Sequence, residues 1–310
     1  MLKPYLLRFH RWLTLVFAAP LAVIVVTGLI LSFEPIVAVQ ALKPGALTAQ
    51  RIDQLLAEHD APGKARSLSY RAYENVLSIG GAGPDGDGVD VDLSTGKETE
   101  EDGWLSELFG SSRGIHERLL GDLGWLVIAS TFAMTAIVLI GVFMGLPYRL
   151  RNNLSGWHKA TAWFLLPLIA ISPITGLMLA YGVTFAGAPG GGGARGESVP
   201  IRAAVQMIAE KHDVSNMLNL RARGGRLMAR IVEGGEYRAY AVTKAGVTPL
   251  PRNFPRLIHE GNWAGVWSGL VNVITSIAIV ILMATGLIIW VKRKLRKPQR
   301  VRQTAPVAAQ

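Results

Sequence analysis

Four apolar runs constrain this chain more than any other feature: Leu13–Phe33, Leu123–Tyr148, Ala162–Phe185 and Ala264–Val291. None carries an interior charge, and each holds at least 20 residues. That is enough helix to cross a hydrocarbon core of roughly 30 Å. The first run follows Lys3, Arg8 and Arg11, as a signal peptide would. It is too long for one, and no small-x-small cleavage site precedes Glu34 and Pro35. It reads as a retained membrane helix, so the expected core is an α-helical bundle of four spans.

Orientation follows from basic residues in the short flanks. Lys3, Arg8 and Arg11, then Arg149, Arg151 and Lys159, then KRKLRKPQR at the end all fall on one side if four helices alternate. That side is the cytoplasm, so both termini lie inside and the two long segments lie outside. The expected division is helix 1–33, outside module 34–112, helix 113–148, cytoplasmic loop 149–156, helix 157–186, outside module 187–256, helix 257–292 and basic tail 293–310. Pro20, Pro167 and Pro173 should kink the first and third helices. GAPGGGGARG at 187–196 reads as a linker.

Net charge is +10, yet many of these charges flank apolar runs instead of forming the basic face of a nucleic-acid binder. Cysteine is absent. Disulfides, thiol catalysis, iron–sulfur clusters, zinc-thiolate sites and covalently attached c-type haem are therefore excluded.

The chain is one unit written twice. His10 in RFHRW precedes Thr27 by 17 residues, and His158 in SGWHKA precedes Thr175 by the same number. IHER at 115–118 enters the second span, and IHEG at 258–261 enters the fourth. From His116 to Arg149 is 33 residues, and from His259 to Lys292 is 33 again. Read as one helix, that is about 50 Å of rise, which would set His116 at the outer membrane surface. The outside segments repeat more weakly, as QLLAEHD and QMIAEKHD. Each should form a small α+β module, with VDVDLSTGKE and YRAYAVTKAGVTPL as strands around a turn.

His10 and His158 fall at the inner edge, and His116 and His259 at the outer edge. Each pair comes from two different helices, as needed to clamp a flat cofactor from both faces. An iron porphyrin leaves two axial positions, and two imidazoles fill both. Zinc would want three or four protein ligands together. Two haem b groups, one per level, match this pattern best. Gly28 and Gly176 lie 18 residues beyond His10 and His158, so they approach the outer level, while Gly141, Gly145 and Gly286 approach the inner one. Small residues there either make room for a macrocycle or let helices pack closely. Arg8, Arg11 and Lys159 inside, and Arg118 and Arg256 outside, could pair with haem propionates; for the inner three, positive-inside anchoring explains them as well. His59 and His212 read as surface histidines of the outside modules.

With these His-led helices, the TGL tails at 27–29 and 175–177, ATGLIIW at 284–290 and VDLSTGK at 91–97, the sequence resembles the PepSY-associated transmembrane helix family, which includes iron-regulated membrane proteins of Gram-negative bacteria. The resemblance implies PepSY-like periplasmic modules and an inner-membrane location. Some members are dihaem reductases that release ferrous iron from ferric siderophores in the periplasm. Carried over by position, it implies inner-haem ligands His10 and His158, and outer-haem ligands His116 and His259. One departure stands out: the second span ends GVFMGLPY where the fourth has TGLIIW.

The chain offers no dinucleotide fingerprint and no cytoplasmic domain large enough for a flavin. A haem-dependent oxidoreductase of this kind would draw electrons from a membrane quinol or a separate cytoplasmic reductase, and pass them to a ferric siderophore or other ferric chelate. Two other functions compete: a PepSY sensor without haem, and a quinol-oxidising cytochrome b with a different acceptor.

Overall fold

The computed structural model describes residues 3–81, 87–99, 103–146, 149, 151–185, 199–223 and 226–295. In chain order its elements are α1 Lys3–Val16, α2 Ala18–Leu31, α3 Glu34–Ala41, α4 Ala49–His59, β1 Ser67–Arg71, β2 Val76–Gly80, β3 Val89–Asp92, α5 Trp104–Arg118 and α6 Gly124–Phe143. The second half follows with α7 Leu154–Phe164, α8 Leu166–Ala180, α9 Ile201–Ala209, β4 Met217–Arg223, β5 Arg226–Glu233, β6 Glu236–Thr243, β7 Gly246–Pro249, α10 Phe254–Glu260 and α11 Val266–Leu295. The glycine-rich stretch 187–196 lies outside the described residues.

Among the described residues, three helices are long and apolar enough to span a membrane: Ala18–Ala41, Gly124–Phe143 and Val266–Leu295. A fourth span is completed if α7 and α8, bent by 67° at Leu165, count as one. Proline accounts for both breaks. Pro20 has no N–H to give the Val16 carbonyl, and α1 ends there; Pro167 likewise leaves the Trp163 carbonyl unmet beside the α7–α8 bend. Pro173, expected to kink the third span, lies inside α8 without interrupting it.

The packing of the first half is matched in the second. α1 lies on α6, as α7 lies on α11; α2 lies on α5, as α8 lies on α10. Across the halves, α2 meets α11 and α8 meets α6.

The segments expected outside do not form two separate modules. They share one seven-stranded antiparallel sheet, in the order β3-β2-β1-β4-β5-β6-β7. The seam is β1 against β4, with Leu68 opposite Leu220. A three-stranded unit ending at β1 would present an open edge and bury one thin apolar face; pairing with β4 removes the edge and joins the two cores. Helices α4 and α9 pack together, and their apolar residues Ile52, Leu55, Leu56, Ala204, Val205 and Ile208 share one core with Leu77, Ile79, Leu220 and Ile231 of the strands. Polar contacts lock the seam. Asp213 accepts from the Gly45 N–H, and Ser215 both receives the Leu47 N–H at 3.0 Å and donates to the Leu47 carbonyl at 3.1 Å. Ser215→Ala strands both Leu47 groups in the core, a cost of about 1–3 kcal/mol. The expected result is a lower unfolding temperature for the detergent-solubilised chain; an unchanged transition would show that the seam does not depend on this serine.

The sheet is fastened to the helices by its β5–β6 turn. Tyr237 donates its N–H to the Asn262 carbonyl at 2.9 Å, and Gly265 donates to Gly235 at 2.7 Å. His59 and His212, expected at the surface, are largely enclosed. His59 contacts the Gly96 carbonyl and Glu98, each at 3.1 Å, and His212 lies 2.8 Å from Glu233. Burial of an imidazole demands such partners, and both rings serve the sheet domain.

Candidate histidine centre

The four candidate histidines stand on four separate helices, α1, α5, α7 and α10. α5 does not continue into α6. It stops at Leu119, and the chain turns through positive φ at Leu119, Gly121 and Asp122 before α6 begins. α10 likewise ends at Gly261, in left-handed conformation, before α11. The 50 Å rise expected for His116 is therefore wrong, because no single helix carries it. His116 is instead level with Thr27 and Gly28 of α2. Along α1 and α2 these are about 27 Å from His10 at most, and the break at Phe17 shortens that.

On the sheet side, His116 and His259 face each other with ring centroids 6.3 Å apart and planes tilted by 48°. Each ring is seated the same way on a helix of its own half. His116 Nδ1 is 2.9 Å from the Ile24 carbonyl and 3.2 Å from Thr27 Oγ1. His259 Nδ1 is 3.2 Å from the Ser172 carbonyl and 3.1 Å from Thr175 Oγ1. A carbonyl can only accept, and each threonine hydroxyl spends its proton on its own helix, Thr27 on Val23 and Ile24, Thr175 on Ile171 and Ser172. Both Nδ1 atoms must therefore carry the hydrogen, which leaves each Nε2 with a free lone pair.

The glycine next to each threonine completes the seat. A Cβ on Gly28 would come within 3.1 Å of His116 Cε1, and one on Gly176 within 3.2 Å of His259 Cε1. What these glycines admit first is the histidine itself, where the sequence suggested room for a macrocycle.

The other pair follows the same plan incompletely. His158 Nδ1 lies 2.8 Å from Thr285 Oγ1, on the side of the Leu282 carbonyl, and a Cβ on Gly286 would come 3.6 Å from its Cε1. Thr285 donates to Ile281 and Leu282, so it too accepts from the imidazole. His10 is turned toward the Ile137 carbonyl of α6, and its buried Nδ1 makes no hydrogen bond of normal geometry. A Cβ on Gly141 would meet nothing within 4 Å, and Gly145 lies past the end of α6 with φ +81°.

A carbonyl, then a residue three positions on, then a glycine four on: Ile24–Thr27–Gly28, Ser172–Thr175–Gly176 and Leu282–Thr285–Gly286 share this order. The fourth seat reads Ile137–Ile140–Gly141. At this seat an isoleucine stands where the other three have a threonine.

The basic residues suggested as propionate partners lie at the surface or in an ion pair. Arg11, Lys159 and Arg118 are exposed, and Arg256 is held by Glu260 at 3.1 Å. Arg118 lines a shallow cleft of about 550 Å³ with Ser111, Gly114, Ile115, Leu119 and Asp122, beside the helix that carries His116.

Between the sheet and the His116–His259 pair lies a charged cluster that the sequence did not disclose. Arg113 pairs with Glu34, and Glu260 receives Arg256, Asn262 and, at 4.0 Å, Arg230. Tyr73 is pushed up to about 12 by burial, with Glu34 and Glu74 adding to it, and burial likewise raises Tyr237. Both phenols therefore stay neutral. Glu34 directly after an apolar run was the one available signal.

Among the described residues, no three His, Asp or Glu side chains cluster as metal ligands. No curated protein matches the chain in sequence. The profile of the PepSY-associated TM region matches residues 7–293, almost the full length, and the chain is a membrane protein of that family.

Proposed function

We propose that this protein is a dihaem b-type electron-transfer protein of the bacterial inner membrane that reduces a ferric siderophore or other ferric chelate in the periplasm. The observation that carries the reading is the His116–His259 pair. A metal bound by two imidazoles has each nitrogen about 2.0–2.1 Å away, and a ring nitrogen is roughly 1 Å from its ring centre. Two such ligands on opposite sides of one iron put the centroids about 6 Å apart, and the rings stand at 6.3 Å with both Nε2 lone pairs uncommitted.

The packing supports four spans built from two repeats, since α1, α2, α5 and α6 make among themselves the contacts that α7, α8, α10 and α11 make. The basic flanks support a cytoplasmic location for both termini. His116 and His259 would then hold the periplasmic-side haem, and His10 and His158 the cytoplasmic-side one. Haem held by these histidines would supply a one-electron iron couple.

The chain's own residues do the rest. Thr27, Thr175 and the two carbonyls fix the tautomer and aim of the outer ligands. Gly28 and Gly176 bring the rings against their helices. The cleft beside Arg118 gives an anionic chelate a place to dock near His116. Each ferric ion takes one electron and becomes ferrous, and the donor is a quinol or a separate reductase on the other side.

The test is the purified full-length protein. A sharp reduced α-band, two haems per chain and anaerobic reoxidation of the reduced protein by ferric chelates are expected. A colourless protein would favour the sensor reading, and a red one that no chelate reoxidises would favour a quinol oxidase with another acceptor.

A further inference from the structure

We propose that Ile140 raises the reduction potential of the haem that His10 and His158 would hold, by withholding a hydroxyl that each of the other three histidines receives. The inference rests on the haem reading above. It concerns Ile140, Thr27, Thr175 and Thr285 as positioning residues acting through the histidines.

The argument is a comparison among four seats in one molecule. In three, a threonine hydroxyl whose proton is spent on its own helix turns a lone pair to the imidazole Nδ1–H. A hydrogen bond at Nδ1 pushes electron density toward Nε2 and makes that nitrogen a better donor. A stronger axial donor stabilises ferric over ferrous iron, which lowers the potential. Both outer ligands are strengthened in this way. Of the inner pair only His158 is, through Thr285 at 2.8 Å. His10 finds an isoleucine at the equivalent place, its Nδ1 is buried without a normal hydrogen bond, and Gly141 is not covered by the ring. The shape of the seat is otherwise retained, with a carbonyl at Ile137 and a glycine four residues on. The Nδ1 hydrogen bond that His10 lacks therefore separates the inner level from the outer one, and the two levels would hold an electron with different tenacity.

The test is a spectroelectrochemical titration of the full-length protein in detergent, with haem content measured on the same samples. His10→Ala identifies the inner wave by removing it. Ile140→Thr is expected to move the inner midpoint downward and leave the outer one in place. Thr285→Val should move the inner midpoint upward, and Thr175→Val the outer one, whereas Thr175→Ser restores the original value because it keeps the hydroxyl. These shifts come without change in haem content, which a merely structural role would not produce. If two haems bind and neither Ile140→Thr nor Thr285→Val moves the inner midpoint, the inference falls while the haem reading stands. If the wild-type protein binds no haem, both fall.

Discussion

Replacing His116 or His259 with alanine should leave one haem per chain in place of the proposed two. The two rings form one unit, 6.3 Å apart, and neither has a neighbouring histidine that could take its place. The double replacement should cost no more than either single one, because ligands to a shared centre are strongly non-additive. His10→Ala and His158→Ala should remove the other haem in the same manner, and His10→Ala combined with His259→Ala should give a colourless chain. The helices themselves should survive. Ile24 and Ser172 remain in α2 and α8, and Thr27 and Thr175 keep their hydrogen bonds to their own helices. Haem content by pyridine haemochrome, read beside the elution profile of the same sample, separates ligand loss from unfolding. A single substitution that strips both haems from a correctly eluting protein would break the assignment of one pair to each level.

Much of this centre is legible in the sequence because duplication supplies an internal control. Four histidines at matched spacing, three followed or faced by a Thr-Gly step, stand out without any structure. The role of the Thr-Gly step does not, because its partner is remote in sequence. Thr27 meets a histidine 89 residues on, and His158 meets a threonine 127 residues on. Helix breaks were misjudged for a local reason. The chain from His116 to Gly124 contains Gly121 and Asp122, which accept positive φ, and hydropathy alone runs straight through them. The sheet was half visible. The strand ending in VDVDLSTGK and the YRAYAVT hairpin show clear alternation, and both are present as β3 and as β6 with β7. That β1 would seek β4 across the membrane helices could not be read from either segment, since edge pairing is decided by which edges come to lie side by side.

Gly28→Leu and Gly176→Leu should each abolish the outer haem without touching a ligand. At both positions the imidazole is pressed so closely that even a methyl group would sit 3.1 or 3.2 Å from its Cε1. Alanine is tighter than ordinary contact and requires the ring to give by a few tenths of an ångström. Leucine leaves no such remedy. Overpacking of this kind costs about 1–3 kcal/mol, whereas the hydrogen bond that holds the ring is worth about 0.5–1.5 kcal/mol. The ring yields first: the imidazole leaves its carbonyl, Nε2 swings away from its counterpart, and the pair no longer grips one iron. Position decides the outcome, so the same change has graded effects around the centre. Gly286→Leu should act on the inner haem, and less severely, because the ring there is 3.6 Å from the built Cβ. Gly141→Ala should disturb no side chain of the protein, since among the described residues nothing lies within 4 Å of the added methyl. Haem content across these four variants, with helix content from far-ultraviolet dichroism, gives the ranking. Retention of two haems with an unaltered spectrum in Gly28→Leu would mean that His116 does not occupy this seat when the cofactor is bound, and the chain of argument from seat to ligand to iron would fail at its first link.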